Sequence, residues 1–176
     1  GNGIARLLKA FGVQTIYGAD INEDAKARLA AMGGTPLSLM DLMQKAQVVV
    51  TTTGVPNLIK PEMIRARQII LALSNPDPEI KPEAAIEAGA AFAADGRGVN
   101  NALAFPGIFK GALQARASRI NNRMKIAAAY AIASLANSDR KELVPALLNT
   151  EVHQRVTDAV ERAALESGAV KKLSEM

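Results

Sequence analysis

Apolar positions along the first hundred residues follow two alternating patterns, one typical of amphipathic helices and the other of buried strands. Ile4, Leu7, Leu8 and Phe11 recur at helical spacing, and Gly12 then ends the predicted helix. Short apolar or β-branched runs bounded by Gly, Pro, Ser or Asn predict strands. By these rules strands span 14–20, 47–52, 68–73 and 90–94, and further helices span 23–32, 38–44 and 82–88.

Strands that alternate with helices in this way predict a parallel, doubly wound sheet with right-handed crossovers. The run at 47–52 is rich in valine and threonine and is typical of a fully buried parallel strand. From Phe105 onward the pattern is helical to the end of the chain, with one break around 143–145. We therefore expect an α/β part over 1–104 and a helical part over 105–176 that packs on the same domain.

The beginning of the chain fits the middle of a dinucleotide-binding Rossmann unit. Such a unit needs a strand, the pattern G-x-G-x-x-G, a helix, and a second strand that ends in Asp or Glu. If Gly1 is the third glycine, Ala5 and Gly12 fall at the expected helix positions, whereas Gly1 as the first glycine puts Arg6 where close packing leaves no room. The predicted fold is therefore α/β, a Rossmann-type doubly wound parallel sheet lacking its first strand, with a helical C-terminal extension. Because that strand is central in the usual order, we expect two unpaired sheet edges and weak dinucleotide binding by this chain alone.

Composition narrows the possible functions further. Of the 176 residues, 49% are apolar and 22% charged, as in a folded domain, and only 3% are aromatic, which argues against stacking on single-stranded nucleic acid. The net charge is +4, but no run of Lys or Arg exceeds two residues, so neither nucleic acid nor an anionic membrane surface is an expected partner. The absence of cysteine excludes thiol chemistry and fits a cytoplasmic protein, and no apolar run approaches the roughly 18 residues of a membrane span.

Asp20 follows the second strand of the predicted Rossmann unit. A carboxylate at that tip can accept hydrogen bonds from both ribose hydroxyls of an adenosine, and it repels a 2′-phosphate. Gly1 lies at the positive end of the first helix dipole, which suits a pyrophosphate. The alternative for Asp20 is a solvated strand-end residue that caps the next turn.

Thr53 and Gly54 follow the strand at 47–52, where ligands bind in open α/β sheets. Gly54 permits close approach of the backbone to a cofactor, and threonine hydroxyls can offer hydrogen bonds. The alternative is that the threonines are simply good strand residues and that Gly54 forms a turn. We predict Gly1, Asp20, Thr53 and Gly54 as cofactor-binding residues.

Two stretches carry a family resemblance. The strings LALSNPDPEI at 71–80 and VNNALAFPGIFKGAL at 99–113 resemble the NAD(P)-binding domain of malic enzymes, especially the bacterial ones. The resemblance implies oxidative decarboxylation of L-malate to pyruvate and CO2, with reduction of NAD or NADP and with a divalent cation, Mg²⁺ or Mn²⁺. The loop between Asp95 and the paired asparagines at 100–101 is shorter here than in the bacterial relatives.

The resemblance also implies roles for three asparagines. Asn75, Asn100 and Asn101 would contact the malate carboxylate and hydroxyl, and Asn75 would also contact the nicotinamide end of the cofactor. An amide offers both a donor and an acceptor, and Pro76 biases Asn75 toward an extended conformation. The alternative for an asparagine beside a proline is an Asx-type turn.

No catalytic or metal-binding residue is expected within this chain. In the family that it resembles, the catalytic lysine and tyrosine and the acidic metal ligands lie upstream, in an N-terminal catalytic domain, so the chain alone is expected to be inactive. Lys60, Lys110 and Tyr130 are predicted to be surface or packing residues, and His153 to be solvated or packed. The resemblance implies a homodimer. Two alternatives are a non-catalytic dinucleotide-sensing module and a different NAD-dependent dehydrogenase, since fold alone does not define activity.

Overall fold

Strands and helices alternate through the first part of the chain, as the hydrophobic pattern predicts. The computed structural model describes residues 1–99, 101–136, 144–145 and 149–170. The chain divides into two compact units, Gly1–Val99 and Asn100–Met176, whereas the sequence prediction put the division after residue 104. The elements of the first unit are α1 (Asn2–Phe11), β1 (Tyr17–Gly18), α2 (Glu23–Ala31), β2 (Thr35–Pro36), α3 (Leu39–Lys45), β3 (Val48–Thr51), a 3₁₀ turn (Pro61–Met63), β4 (Ile69–Ala72), α4 (Pro82–Glu87) and β5 (Phe92–Asp95).

The strands of the first unit form two parallel sheets. β1 pairs with β2, and β3, β4 and β5 form a second sheet in that order. Val48 pairs with Ile69, and Ile69 in turn pairs with Phe92. Within the part of the chain that the structure describes, no strand pairs with the second edge of β1 or β3. This confirms the predicted fold class, an α/β fold with parallel sheets.

Three strands differ from their predicted form. β1 has two half-buried residues instead of seven buried ones, and Asp20 lies beyond its end, exposed. The prediction that 47–52 is fully buried is wrong, because β3 is an edge strand and Val48 is 52% exposed. β5 begins two residues later than predicted and includes Asp95. A strand with one unpaired edge has fewer neighbours to cover it, which explains the exposure of β1 and β3.

Local side chains define the helices of the first unit. The Asn22 side chain accepts from two backbone N–H groups at the start of α2, and the Ser38 side chain accepts from Asp41 N at the start of α3. At the other end of α3 the buried Gln68 donates from Nε2 to the carbonyls of Met43 and Ala46, both at 2.7 Å. These bonds attach α3 to the start of β4. The apolar core between the elements consists of Met43, Val49, Ile59, Ile70, Ala72, Ile80, Ala85 and Ala90.

The second unit is helical. After a 3₁₀ turn (Asn101–Leu103) come α5 (Phe105–Gln114), α6 (Asn122–Ala133) and α7 (Thr150–Glu166). The predicted continuous helix from 105 is wrong, because the chain leaves the helix after Gln114 and Asn121 caps a new one. Of the break predicted at 143–145, Val144 and Pro145 are not helical, and Leu143 lies outside the described residues. The buried residues at the centre of the second unit include Met124, Ala128, Val152, Val156, Val160 and Ala164.

Candidate functional site

Four predicted site residues lie at one edge of the three-stranded sheet. Thr53 and Gly54 follow the end of β3, and Asn75 follows the end of β4. The nitrogen of Gly1 donates to Thr52 Oγ1 at 3.2 Å, which places the beginning of α1 at the same edge. Carboxyl ends of parallel strands are where open α/β sheets bind ligands. We call this region, formed by the start of α1 and the loops after β3, β4 and β5, the carboxyl edge.

The loop after β3 presents bare backbone at Gly54. Its φ is +70°, a conformation that favours glycine, and a β-carbon there would meet no heavy atom within 4 Å. The Gly54 N–H donates to Ser74 Oγ at 2.9 Å. The Thr53 hydroxyl donates to Glu79 Oε1 at 2.8 Å and accepts from Val55 N at 3.2 Å. Open space therefore faces the Cα of Gly54, while the Thr53 hydroxyl is engaged within its own loop.

Asn75 is exposed and lies against the loop that follows β5. Its peptide bond to Pro76 is cis. A β-carbon on Gly96 would come within 2.5 Å of Asn75 Nδ2 and within 2.9 Å of the Leu73 carbonyl oxygen, so only glycine fits there. Asp95 accepts from two backbone N–H groups of the turn that follows, at 2.9 and 3.1 Å. The sequence analysis did not single out Gly96, although a glycine directly after a strand is a signal for close backbone approach.

Glu79 is a site residue that sequence reasoning missed. Its side chain is 0% exposed, and its Oε1 accepts from Thr53 N at 2.6 Å, from Thr53 Oγ1 at 2.8 Å and from Ser74 Oγ at 2.7 Å. Asp77 is exposed two residues earlier, and nothing in the sequence distinguishes these two acids. The structure thus adds a buried carboxylate that joins the loops after β3 and β4.

The environment of Glu79 favours its charged form. Burial raises the pKa of its carboxyl, but the hydrogen bonds from Ser74 and Thr53 together outweigh burial and lower that pKa from 4.5 to about 2. Since the folded-state pKa lies below the unfolded-state value, the ionised carboxylate stabilises the fold above pH 4.5. That stabilisation is lost as the pH falls from 4.5 toward 2.

Glu79→Gln should lower the free energy of unfolding at pH 7 by roughly 3 kcal/mol, the equivalent of the pKa shift. The difference between the variant and the wild type should shrink steadily as the pH falls below about 5. Urea unfolding of the full-length protein at several pH values measures both quantities, with the exposed Glu83→Gln as the control. A wild-type advantage that stays constant down to pH 2.5 would contradict the assigned charge state.

The hydrogen bond that Asp20 makes lies in the turn before α2 and not in the loops after β3 and β4. Asp20 is exposed, and its Oδ1 accepts from Asn22 N at 2.9 Å, in the turn that leads into α2. This is the turn-capping contact that the alternative interpretation predicts. The contact occupies one carboxylate oxygen, and in the described part of the chain no protein group donates to Oδ2. A ribose contact therefore stays a prediction.

Of the remaining residues that the sequence analysis considered, Lys60 lies in the first unit and the others in the second. Asn101 is exposed at the start of its 3₁₀ turn, and Asn100 lies outside the described residues. His153 is half-buried in α7, with no hydrogen-bond partner for Nδ1 among the residues described. Lys60 and Lys110 are exposed, as is Tyr130.

Two features are not found among the described residues, a metal-binding cluster and a membrane-spanning helix. In ranges 1–99, 101–136, 144–145 and 149–170 there is no group of three or more His, Cys, Asp or Glu side chains that could hold a metal ion. No helix in those ranges has both the length and the apolar character needed to cross a membrane.

Comparison with known proteins yields one family. Residues 90–165 match the family model described as malic enzyme, NAD binding domain. The chain is 53% identical over 166 residues to the NAD-dependent malic enzyme 1 of Bacillus subtilis, covering 94% of this chain and 37% of that protein. It is 35% identical to the NADP-dependent malic enzyme of Halomonas elongata over 77% of this chain and 38% of that one. The crystal structure of the NAD-dependent malic enzyme from Thermotoga maritima superposes with a TM-score of 0.80 at 32% identity, covering 92% of this chain and 48% of that chain.

Proposed function

Because this chain belongs to the malic enzyme NAD-binding domain family, we propose that it binds NAD or NADP for the oxidative decarboxylation of L-malate. The chain spans 37% of the length of the B. subtilis relative, so the activity is proposed for a protein with further parts. The net reaction converts malate and NAD(P)⁺ to pyruvate, CO2 and NAD(P)H. A bound nicotinamide would accept a hydride from C2 of malate as the C2 hydroxyl loses its proton. When the carboxylate bonded to C3 leaves as CO2, the electron pair left on C3 would take up a proton.

This proposal rests mainly on one observation. The carboxyl edge brings together Gly1, Gly54 and Asn75. The start of α1 offers backbone N–H groups and the positive end of a helix dipole to a pyrophosphate. Gly54 leaves room for a sugar or ring against bare backbone. Asn75 lies exposed beside it, with a donor and an acceptor for the nicotinamide or for malate. A bound nicotinamide would be the hydride acceptor, and the residues of this chain would bind and orient the cofactor.

Fluorescence titration of the full-length protein with NADH, followed by an assay for malate-dependent NAD(P)H formation, tests the proposal. Saturable NADH binding together with malate-dependent turnover in the presence of Mg²⁺ or Mn²⁺ is the expected result. Turnover with a different hydroxy acid, and none with malate, would reassign the chain to another dehydrogenase. Binding without any turnover would favour a sensing module.

Asp20→Ala should weaken NAD binding by roughly 1–3 kcal/mol, the value of a charged hydrogen-bond acceptor. NADP binding should suffer less, because the substitution also removes a negative charge that repels the 2′-phosphate. Equilibrium titration with both cofactors measures the two losses. Asp24→Ala removes an exposed carboxylate from the same region and is the control. Asp20→Asn keeps an acceptor for Asn22 N, so it separates the lost turn from the lost charge. Equal losses for NAD and NADP would rule out a direct ribose contact.

Four predictions come from the family resemblance and stay predictions: L-malate, pyruvate, the divalent cation and the homodimer. By the same resemblance, the residues that would hold the cation lie outside this chain. The cytoplasmic location stays a prediction from the absence of cysteine. The C-terminal helices are proposed to pack on the Rossmann part.

A further inference from the structure

Glu79 joins two loops that come from different strands. Thr53 donates to it from the loop after β3, and Ser74 donates to it from the loop after β4. The backbones of the same two regions are also joined, since Asn57 N donates to the Pro78 carbonyl at 3.3 Å and Ile59 N donates to the Glu79 carbonyl at 3.0 Å. The segment that follows Gly54 is therefore held along the segment that follows Asn75.

Ser74 relays this attachment to Gly54. Its hydroxyl accepts from Gly54 N at 2.9 Å and donates to Glu79 Oε1 at 2.7 Å. A hydroxyl has one proton to donate, so an acceptor at Glu79 fixes which way the Ser74 proton points and leaves its lone pairs for Gly54. The orientation of the Gly54 peptide thus depends on the buried Glu79 carboxylate, to which it is linked by two hydrogen bonds through Ser74.

Fold stability alone does not account for a carboxylate at this position. Burying a charge is costly, and apolar residues of similar volume often replace buried charges without loss. The adjacent Ile80 belongs to an apolar core that such a residue could extend. An apolar residue could not accept the three hydrogen bonds that Glu79 Oε1 receives from Thr53 and Ser74, which lie in different loops.

We propose that Glu79 is a positioning residue of the carboxyl edge, which sets the placement of Gly54 relative to Asn75 for one half of the dinucleotide. The inference rests on the proposed function. Doubly wound folds bind a dinucleotide through two mononucleotide-binding halves. Glu79 and both loops belong to the β3–β4–β5 half, whereas Asp20 follows β1 in the other half. The contribution of Glu79 should therefore be confined to one end of the ligand.

NADH and 5′-AMP are the probes that separate the two halves. In the full-length protein, Glu79→Gln should weaken NADH binding about tenfold, a typical cost of misplacing hydrogen-bonding groups, and should leave the affinity for 5′-AMP within about twofold. Glu87→Gln, an exposed glutamate on α4, is the matched control and should change neither affinity. Ser74→Ala removes the relay without touching the buried charge, and it should cause a smaller loss with the same selectivity for NADH.

Circular dichroism checks that each variant is folded. The titrations are then made at a temperature well below its melting point, so that only folded protein is compared. Should Glu79→Gln not fold, Ser74→Ala decides the question by the same pair of titrations. Unchanged NADH affinity in folded variants, or equal losses of NADH and 5′-AMP, would overturn the positioning role. Failure of the wild type to bind either probe would instead count against the proposed function, so the two failures are distinguishable.

Discussion

Replacing Gly111 by leucine is expected to lower the free energy of unfolding of the helical unit by more than about 4 kcal/mol. Gly111 lies on the buried face of α5. A β-carbon there would overlap the backbone carbonyl of Thr157 and would lie 2.9 Å from the β-carbon of Val160, both in α7. A carbonyl inside a helix cannot rotate away, so a side chain at this point forces α5 and α7 apart. Val156 makes the same close approach to Gly107, one helical turn earlier.

Thermal unfolding followed by circular dichroism measures this effect, and the melting midpoint of the helical unit, residues 100–176, should fall by roughly 16–32 °C. Gly3→Leu is the matched control, because Gly3 is also a helical glycine but a β-carbon there would meet nothing within 4 Å. Its effect should stay within about 1 kcal/mol and could be stabilising, since leucine is a better helix former than glycine. Equal melting points for the two variants would show that α5 and α7 do not pack as the structure describes.

Strands and capped helices could be predicted from the sequence because their signals are local. The runs that became β3 and β4 are dense in Val, Ile and Leu, and Ser38 lies at the expected start of α3. The interruption between α5 and α6 gave no such signal. The segment 115–120 contains neither Gly nor Pro, and Arg116 adopts a φ of +53°, which few side chains favour. Packing in the second unit decides this break, and a single sequence does not show packing.

The residues of the candidate site also differ in whether the sequence could predict them. Gly54 and Asn75 could be located because each lies three residues after the end of a strand, and strand ends are recognisable from the pattern. Glu79 could not, because its role depends on donors 5 and 26 positions away in the chain. Asp20 shows a further limit: a strand-end carboxylate can serve a ribose or a turn, and here its Oδ1 serves the turn.

Asn101→Ala is expected to lower kcat/KM for malate by roughly 30- to 1,000-fold in the full-length enzyme, the equivalent of about 2–4 kcal/mol. Asn101 is exposed at the start of the 3₁₀ turn that leads into α5, inside the region that matches the malic enzyme family model. The family resemblance predicts that its amide contacts the carboxylate and the hydroxyl of malate. Removing the amide takes away those bonds as charge develops at the hydroxyl during hydride transfer, whereas contacts to the remote parts of the cofactor are unaffected.

The loss should therefore be confined to malate. The Kd for NAD, measured by titration on the same preparation, should stay near the wild-type value while steady-state kinetics with malate show the decrease in kcat/KM. Asn122→Ala is the control, because Asn122 is an exposed asparagine at the start of α6 with no expected substrate contact. Parallel losses of NAD affinity and malate turnover would place Asn101 on the cofactor instead. Wild-type kinetics with malate would mean that the asparagine only forms the turn in which it lies, and the assignment of malate as the substrate would lose its most direct support within this chain.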